Sequence, residues 1–216
     1  CPHLTGASDS DTDGDGVGNG CDPRPSMAGD RIIFFDGFDA ANNDAWAPAG
    51  SDNDRWSVGN GSLFFDERTG VDAPAYLISE QTLPGRARII IDAQASNAST
   101  GSNSVGITTG FSGTVEPSLY RTCAVILGGL SSGDVVKVFD VDQGNQTDQA
   151  ETATFLGSSQ FMLDATVRSG HNCSFTQGGV TDTANTSNPG STGDRWAIRV
   201  RNYEVEFRYA LVISIP

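Results

Sequence analysis

From Arg31 onward, short runs of β-branched and aromatic residues alternate with clusters of Gly, Ser, Asn and Asp, the pattern of strands broken by turns. The runs predict strands at Arg31–Phe35, Arg55–Val58, Ser62–Phe65, Ala75–Ser79, Ala87–Ala93, Val105–Thr109, Arg121–Leu127, Val135–Val141, Gln160–Val167, Arg195–Arg201 and Glu204–Ile215. No stretch carries a convincing helical repeat. About eleven or twelve strands at this spacing predict an all-β sandwich with Greek-key or jelly-roll connections. The polar stretches SNASTGSN and DTANTSNPGSTGD read as loops.

The last two segments, RWAIRVR and EVEFRYALVISI, are separated only by Asn202 and Tyr203, which predicts a tight hairpin with Asn at positive φ. Its register sets Arg201 opposite Glu204, Arg199 opposite Glu206 and Ile198 opposite Phe207, with Val205, Phe207, Tyr209, Leu211 and Ile213 together on the core face.

Residues 1–26 contrast with all of this. They hold almost no large apolar side chain, so they cannot build a core and must be ordered by something else. The run DTDGDGVGNGCD places Asp11, Asp13, Asp15, Val17, Asn19 and Asp22 at positions 1, 3, 5, 7, 9 and 12 of a twelve-residue loop, with Gly16 at position 6. A hard cation takes six to eight oxygen ligands, and a loop of this spacing supplies them from side chains and one carbonyl around a sharp glycine turn. Calcium is therefore the expected cofactor, with Asp9 as a candidate extra ligand. The following CDPRPSMAGD reads as a short stiff linker.

Twenty-seven acidic residues against 13 basic give a net charge of −14, which disfavours nucleic acid and anionic membranes and favours divalent cations. No transmembrane segment or signal peptide is present, and a start at Cys1 rather than Met is expected of a processed or excised product. Four cysteines, Cys1 and Cys21 around the acidic run and Cys123 and Cys173 far downstream, fit two disulfides in an oxidising compartment, hence a secreted or cell-surface protein. Lipidation of Cys1 is the competing reading, and it would orphan Cys21. Zinc is excluded by spacing: no C-x2-C pair exists, and His3 and His171 lie in unrelated segments. Five N-x-[ST] sequons mark glycosylation only in a host that performs it.

The segment CPHLTGASDSDTDGDGVGNGCD resembles a thrombospondin type 3 repeat. The resemblance implies that Asp11, Asp13, Asp15, Asn19 and Asp22 bind calcium by side chain, that Val17 binds by its carbonyl, and that Cys1 bridges Cys21. It also implies a boundary, with residues 1–26 as repeat and linker and 27–216 as sandwich. The remainder is similar, more loosely, to secreted bacterial concanavalin A-like or laminin G-like domains, through FFDGFD, the W-x-V-x-N-G-S-L phrase from Trp56 to Leu63, and the closing Phe207–Tyr209 strand. These phrases specify a fold more than a job.

Catalysis in such a fold needs two carboxylates about 5 to 10 Å apart on a sugar-binding face. Glu204 and Glu206 meet that spacing, but the hairpin register gives each an arginine, which would hold both ionised and spoil a general acid. The E-x-D-x-E strand of sandwich glucanases is absent. The expectation is therefore no enzyme: a calcium-binding extracellular module that recognises a glycan or a surface protein in adhesion. The alternatives are a self-associating subunit of a fibre, coat or matrix, and a polysaccharide hydrolase or lyase. Among three tryptophans, Trp56 and Trp196 are assigned to the core by alternation, leaving Trp46, in the polar NNDAWAP, as the ligand candidate.

Overall fold

The computed structural model describes residues 1–2, 10–39, 44–50, 53–66, 73–98, 103–111, 119–127, 133–154, 160–167, 170–188 and 193–216. Fifteen strands follow in order: β1 (Arg31–Asp36), β2 (Trp46–Gly50), β3 (Trp56–Gly59), β4 (Ser62–Phe65), β5 (Ala75–Thr82), β6 (Ala87–Ala98), β7 (Asn103–Phe111), β8 (Leu119–Leu127), β9 (Asp134–Asp142), β10 (Asn145–Thr154), β11 (Phe161–Val167), β12 (His171–Gln177), β13 (Val180–Thr186), β14 (Arg195–Arg201) and β15 (Tyr203–Ser214). The helical content among the described residues is one 3₁₀ turn, Asn53–Arg55.

Two antiparallel sheets form the expected sandwich. Sheet A runs β13-β12-β11-β6-β15-β4-β3, with β1 also pairing to β15, and sheet B runs β10-β9-β8-β7-β14-β5-β2. Alternate residues of each strand point between the sheets, so Ile89, Ile91, Ala93 and Ala95 of β6 meet Val105, Ile107, Cys123, Val125, Ile198 and Val200 of sheet B in one apolar cluster. The Cys123–Cys173 disulfide joins β8 to β12 across that core, and closing so long a loop is worth about 4 kcal/mol in the chain-entropy model.

The expected C-terminal hairpin does not form. Asn202 does turn with positive φ (56°), but β14 pairs with β5 and β7 in sheet B while β15 pairs with β6, β4 and β1 in sheet A. The link, reduced to Asn202 alone, is a crossing between sheets, because both segments carry enough apolar side chains to be interior strands of different layers. Arg199 instead donates to the Ser104 hydroxyl and lies 5.6 Å from the Phe139 ring, on the far face of sheet B from the glutamates. The expected core face of β15 is also corrected. The register shifts between Phe207 and Tyr209, so Val205 and Phe207 face the core, then Ala210 and Val212 do, and Tyr209, Leu211 and Ile213 turn to the outer face.

Four strands escape the hydrophobic pattern. β2 carries a proline, β10 and β13 are polar strands at the ends of the two sheets, where packing demands few large side chains, and β12, next to β13, buries only His171, Cys173 and Phe175 among polar neighbours. The β12–β13 connection is the two-residue turn Gly178-Gly179, with both glycines at positive φ (59° and 82°), a conformation that matches the twist of the flanking strands.

At one end of the sandwich a fully buried Arg121 on β8 grips Asp140 on β9 with two hydrogen bonds, at 2.6 and 2.7 Å. Its third nitrogen donates to His171 Nδ1 (3.2 Å) on the opposite sheet and to the Asn188 carbonyl. Burial and the Arg121 charge lower the His171 pKa to about 4, against a smaller opposing pull from Asp140. The unfolded imidazole takes up a proton near pH 6.5 and the folded one refuses it until about pH 4. Stability is therefore complete above pH 6.5 and falls by about 3 kcal/mol as the pH drops through that window. A urea midpoint series from pH 7 to pH 4 is expected to show this slope in the parent and a shallower one in His171→Gln; equal slopes would exclude His171 as its source.

Candidate functional site

The acidic run folds into a tight loop whose carboxylates turn inward by capping their own backbone. Asp11 accepts the N–H groups of Gly14 (2.8 Å) and Gly16 (2.9 Å), Asp13 Oδ1 accepts that of Asp15, and Asp15 Oδ1 accepts that of Val17. Asn19 cross-braces the loop, accepting Thr12 N–H and donating to the Ser10 and Thr12 hydroxyls. The Cys1–Cys21 disulfide closes the segment. Val17 and Cys21 insert their side chains against Ile90, Tyr209, Leu211 and Ile213, and Arg88, paired with Asp164, donates to the Cys21 carbonyl at 2.6 Å. The register shift in β15 thus creates the apolar patch on which the loop sits. Asp9 and His3 lie outside the described residues.

Two groups of carboxylates converge, each with oxygens within 4.8 Å of one another: Asp11, Asp13 and Asp15, and Asp15, Asp22 and Asp30. Asp30 was not expected from the sequence. It stands at the end of the stretch that reads as a linker, and that stretch folds back so that Gly29 and Asp30 N–H groups bond Asp15 Oδ2 (3.0 and 2.7 Å). Arg24 crosses the same turn to pair with Asp30 at 2.6 Å. The only sequence signal is an acid immediately before the first strand.

Electrostatically the loop is unfinished. Asp13 Oδ2 and Asp22 Oδ2 are buried with no hydrogen-bond partner, an arrangement that costs free energy unless a cation completes it. Burial, and the neighbouring Asp30 and Asp13 carboxylates, push the Asp22 pKa up, against the opposing Arg24 N–H bond. Asp15 is held below the usual carboxylate range, first by the Val17 N–H and then by Gly29, Asp30 and Arg24, with its desolvation opposing. An all-oxygen donor set with orphaned, inward carboxylate atoms fits a hard divalent cation of calcium type and suits softer metals poorly.

The outer face of sheet A is divided. One half is covered by the acidic loop. The other half is a cleft of about 340 Å³ lined by Phe64, Asp66, Gln94, Ser96, Glu204 and Glu206. Leu63 and Phe65 point to the core, so Phe64 between them points out, and Glu204 and Glu206 alternate in the same way with Tyr203, Val205 and Phe207. Glu206 accepts the Ser62 hydroxyl at 2.8 Å and Glu204 accepts the Ser96 hydroxyl at 3.3 Å. Gln94 accepts from Arg208 at 3.0 Å. Between the two halves sits Asp92, whose carboxyl is raised by burial against the opposing Gln160 hydrogen bond and Arg208 charge.

Trp46 is 8% exposed. Its ring is edge-on to Trp196 and Phe34, its N–H bonds Asp36 Oδ2 at 2.7 Å, and one side lines a 260 Å³ recess with Trp56, Pro48 and Leu77 between the sheets. Asp36 is thereby committed to Trp46 and to the turn at Phe38 N–H. Trp196 is fully buried and Trp56 half-buried against the core, as alternation requires.

No protein-family profile and no curated protein matches the sequence. Solved structures do. A mutant of the GH43 protein BlXynB from Bacillus licheniformis superposes with a TM-score of 0.62 at 17% identity, over 84% of this chain and 39% of that protein, so the chain spans about two fifths of its length. The carbohydrate-binding module CBM66 from Bacillus subtilis gives 0.55 at 12% identity, over 76% of this chain and 92% of that one. A glycosyl hydrolase family 16 protein from Mycobacterium smegmatis gives 0.56 at 12% identity, over 84% and 100%. The expectation of no enzyme is corrected by these neighbours, since glycoside hydrolases share the sandwich, and by β14 and β15 lying in opposite sheets, which takes Arg199 away from Glu206, one of the two pairings on which that expectation rested. By its fold the chain is similar to the jelly-roll sandwiches of carbohydrate-binding modules and glycoside hydrolases, a concanavalin-like architecture.

Proposed function

We propose that this protein engages an extracellular glycan through the open half of the sheet A face, and that calcium held by the thrombospondin type 3-like loop orders the other half. The observation that carries the reading is the composition of the cleft. One outward aromatic ring lies among three carboxylates, an amide and a hydroxyl, the pairing of apolar platform and hydrogen-bonding groups that a sugar ring demands. Fold neighbours that are carbohydrate-binding modules or glycoside hydrolases support a glycan as the ligand. Two disulfides support a secreted or surface location. In this reading residues 1–26 and 27–216 are separately ordered parts, and Asp11, Asp13, Asp15, Asn19, Asp22 and the Val17 carbonyl hold the ion.

The same glutamates favour a second reading, hydrolysis. Residues two apart on one strand sit about 7 Å from each other, within the span that glycosidic carboxylate pairs cover. A panel of plant, algal and microbial polysaccharides, scored for both retention and reducing-end release, separates the two. Phe64→Ala is expected to weaken retention roughly tenfold by removing the stacking platform. Glu204→Gln and Glu206→Gln are expected to abolish release while sparing retention if the pair is catalytic. Unchanged retention in Phe64→Ala would move the glycan to another face.

A further inference from the structure

We propose that Asp30, together with Asp15 and Asp22, forms a second divalent-cation site that ties the acidic loop to the first strand of the sandwich. The inference rests on the calcium reading of the loop and adds a ligand from outside both the twelve-residue run and the segment that carries the resemblance. Asp30 belongs instead to the sandwich side of the boundary at residue 26 and directly precedes β1.

Burial supplies the first argument. Asp30 is fully buried and Asp22 is 5% exposed, yet their carboxylates converge with that of Asp15 within 4.8 Å. Three buried or half-buried acids in one place repel unless something positive sits among them. Arg24 supplies one positive charge, on Asp30 Oδ1.

The second argument is the unpaired atom. Asp22 Oδ1 accepts Arg24 N–H at 2.6 Å, which leaves Oδ2, buried and without a partner, as the oxygen free to coordinate. Arg24 engages Asp30 chiefly through Oδ1, and its approach to Oδ2 is long, at 3.4 Å, so a second oxygen is open there too. Asp15 belongs to both acidic groups and so can bridge two ions; Asp11 and Asp13 serve the first, and Asp22, which converges with Asp15 and Asp30 rather than with Asp11 and Asp13, turns to the second despite its place as last ligand of the twelve-residue run. Oxygen-only donors and irregular spacing suit the adaptable coordination of calcium better than the strict octahedron of magnesium.

Calcium titration calorimetry on the intact, disulfide-closed chain tests the site. The parent is expected to bind two ions, Asp30→Asn one, and Asp11→Asn one. Arg24→Gln, which removes the ion-pair partner and keeps the carboxylate, is expected to bind two. Amide exchange over residues 29–33 is expected to quicken in Asp30→Asn at saturating calcium. Two ions retained in Asp30→Asn, or a single ion in parent and Asp30→Asn alike, would overturn the site and leave the loop reading standing. Equal loss in Arg24→Gln and Asp30→Asn would also overturn it, by reducing Asp30 to the partner of Arg24. A parent that binds no calcium would overturn the loop reading itself, and the site with it.

Discussion

Chelating calcium is expected to release residues 10–30 from the sandwich while every strand of the core stays folded. The segment has no apolar interior of its own beyond Val17 and Cys21, and its carboxylates are ordered against mutual repulsion. Once the ion is gone, orphaned Asp13 and Asp22 oxygens gain most by returning to water, and the segment goes with them. The Cys1–Cys21 bridge keeps it a closed loop, still tethered through Arg31. Departure bares Ile90, Tyr209, Leu211 and Ile213, an apolar strip on an otherwise polar face. Hydrogen exchange is the measurement. Amides of residues 10–30 are expected to exchange faster by several orders of magnitude, approaching free-chain rates, while those of β6, β8 and β11 keep their protection. A hydrophobic dye should bind the chelated protein and be expelled on adding calcium back. Collapse of protection throughout the strands on chelation would show instead that loop and sandwich form one cooperative unit.

Arg121→Ala is expected to lower stability by about 3 to 5 kcal/mol, enough to reduce the melting temperature by roughly 10 °C in a chain of this size. The loss comes from what is left behind. Asp140 loses both hydrogen bonds from a guanidinium that was fully buried, and the Asn188 carbonyl and His171 Nδ1 each lose a donor. The sign of its pH dependence distinguishes this from a simple cavity. Removing the Arg121 charge removes one of the two causes that keep His171 neutral, while the pull of Asp140 remains. The imidazole can then protonate and face Asp140, so the penalty measured at pH 5 is expected to be smaller than at pH 7.5. A penalty that is equal at both, by calorimetry or urea unfolding, would assign the cost to lost packing alone.

Much of the sandwich was legible because interior strands must carry β-branched and aromatic residues on at least one face. Ser62–Phe65 and Arg195–Arg201 have the bounds the sequence predicts. Strands β10 and β13 were not legible, since sheet-end positions accept Asn, Gln and Thr without penalty. The C-terminal pair was misread for a different reason. So short a link between two strands is as sufficient for a crossing between layers as for a hairpin, and nothing local in Arg201-Asn202-Tyr203 separates them. That error propagated, because the pairing of Arg199 with Glu206 was part of the argument against catalysis, and Arg199 lies on the other sheet. The acidic loop was legible through the fixed spacing of its aspartates on one continuous segment, which lets each carboxylate cap nearby backbone N–H groups. Asp30 was not, since a ligand contributed by chain folding back carries no spacing rule. Phe64, Gln94 and Ser96 were likewise invisible as a group, being brought together only by the order of β4, β15 and β6.

The position of β15 also dictates when the protein can finish folding. It fills the lane between β6, complete at Ala98, and β4, complete at Phe65, yet its first residue is Tyr203. While the chain is being made, both neighbours therefore present unsatisfied edges to whatever is nearby, and sheet A has a gap down its middle. Assembly of the sheet must await emergence of β15 from the ribosome, so the nascent sandwich needs shielding from sticky contacts throughout the interval between β6 and β15.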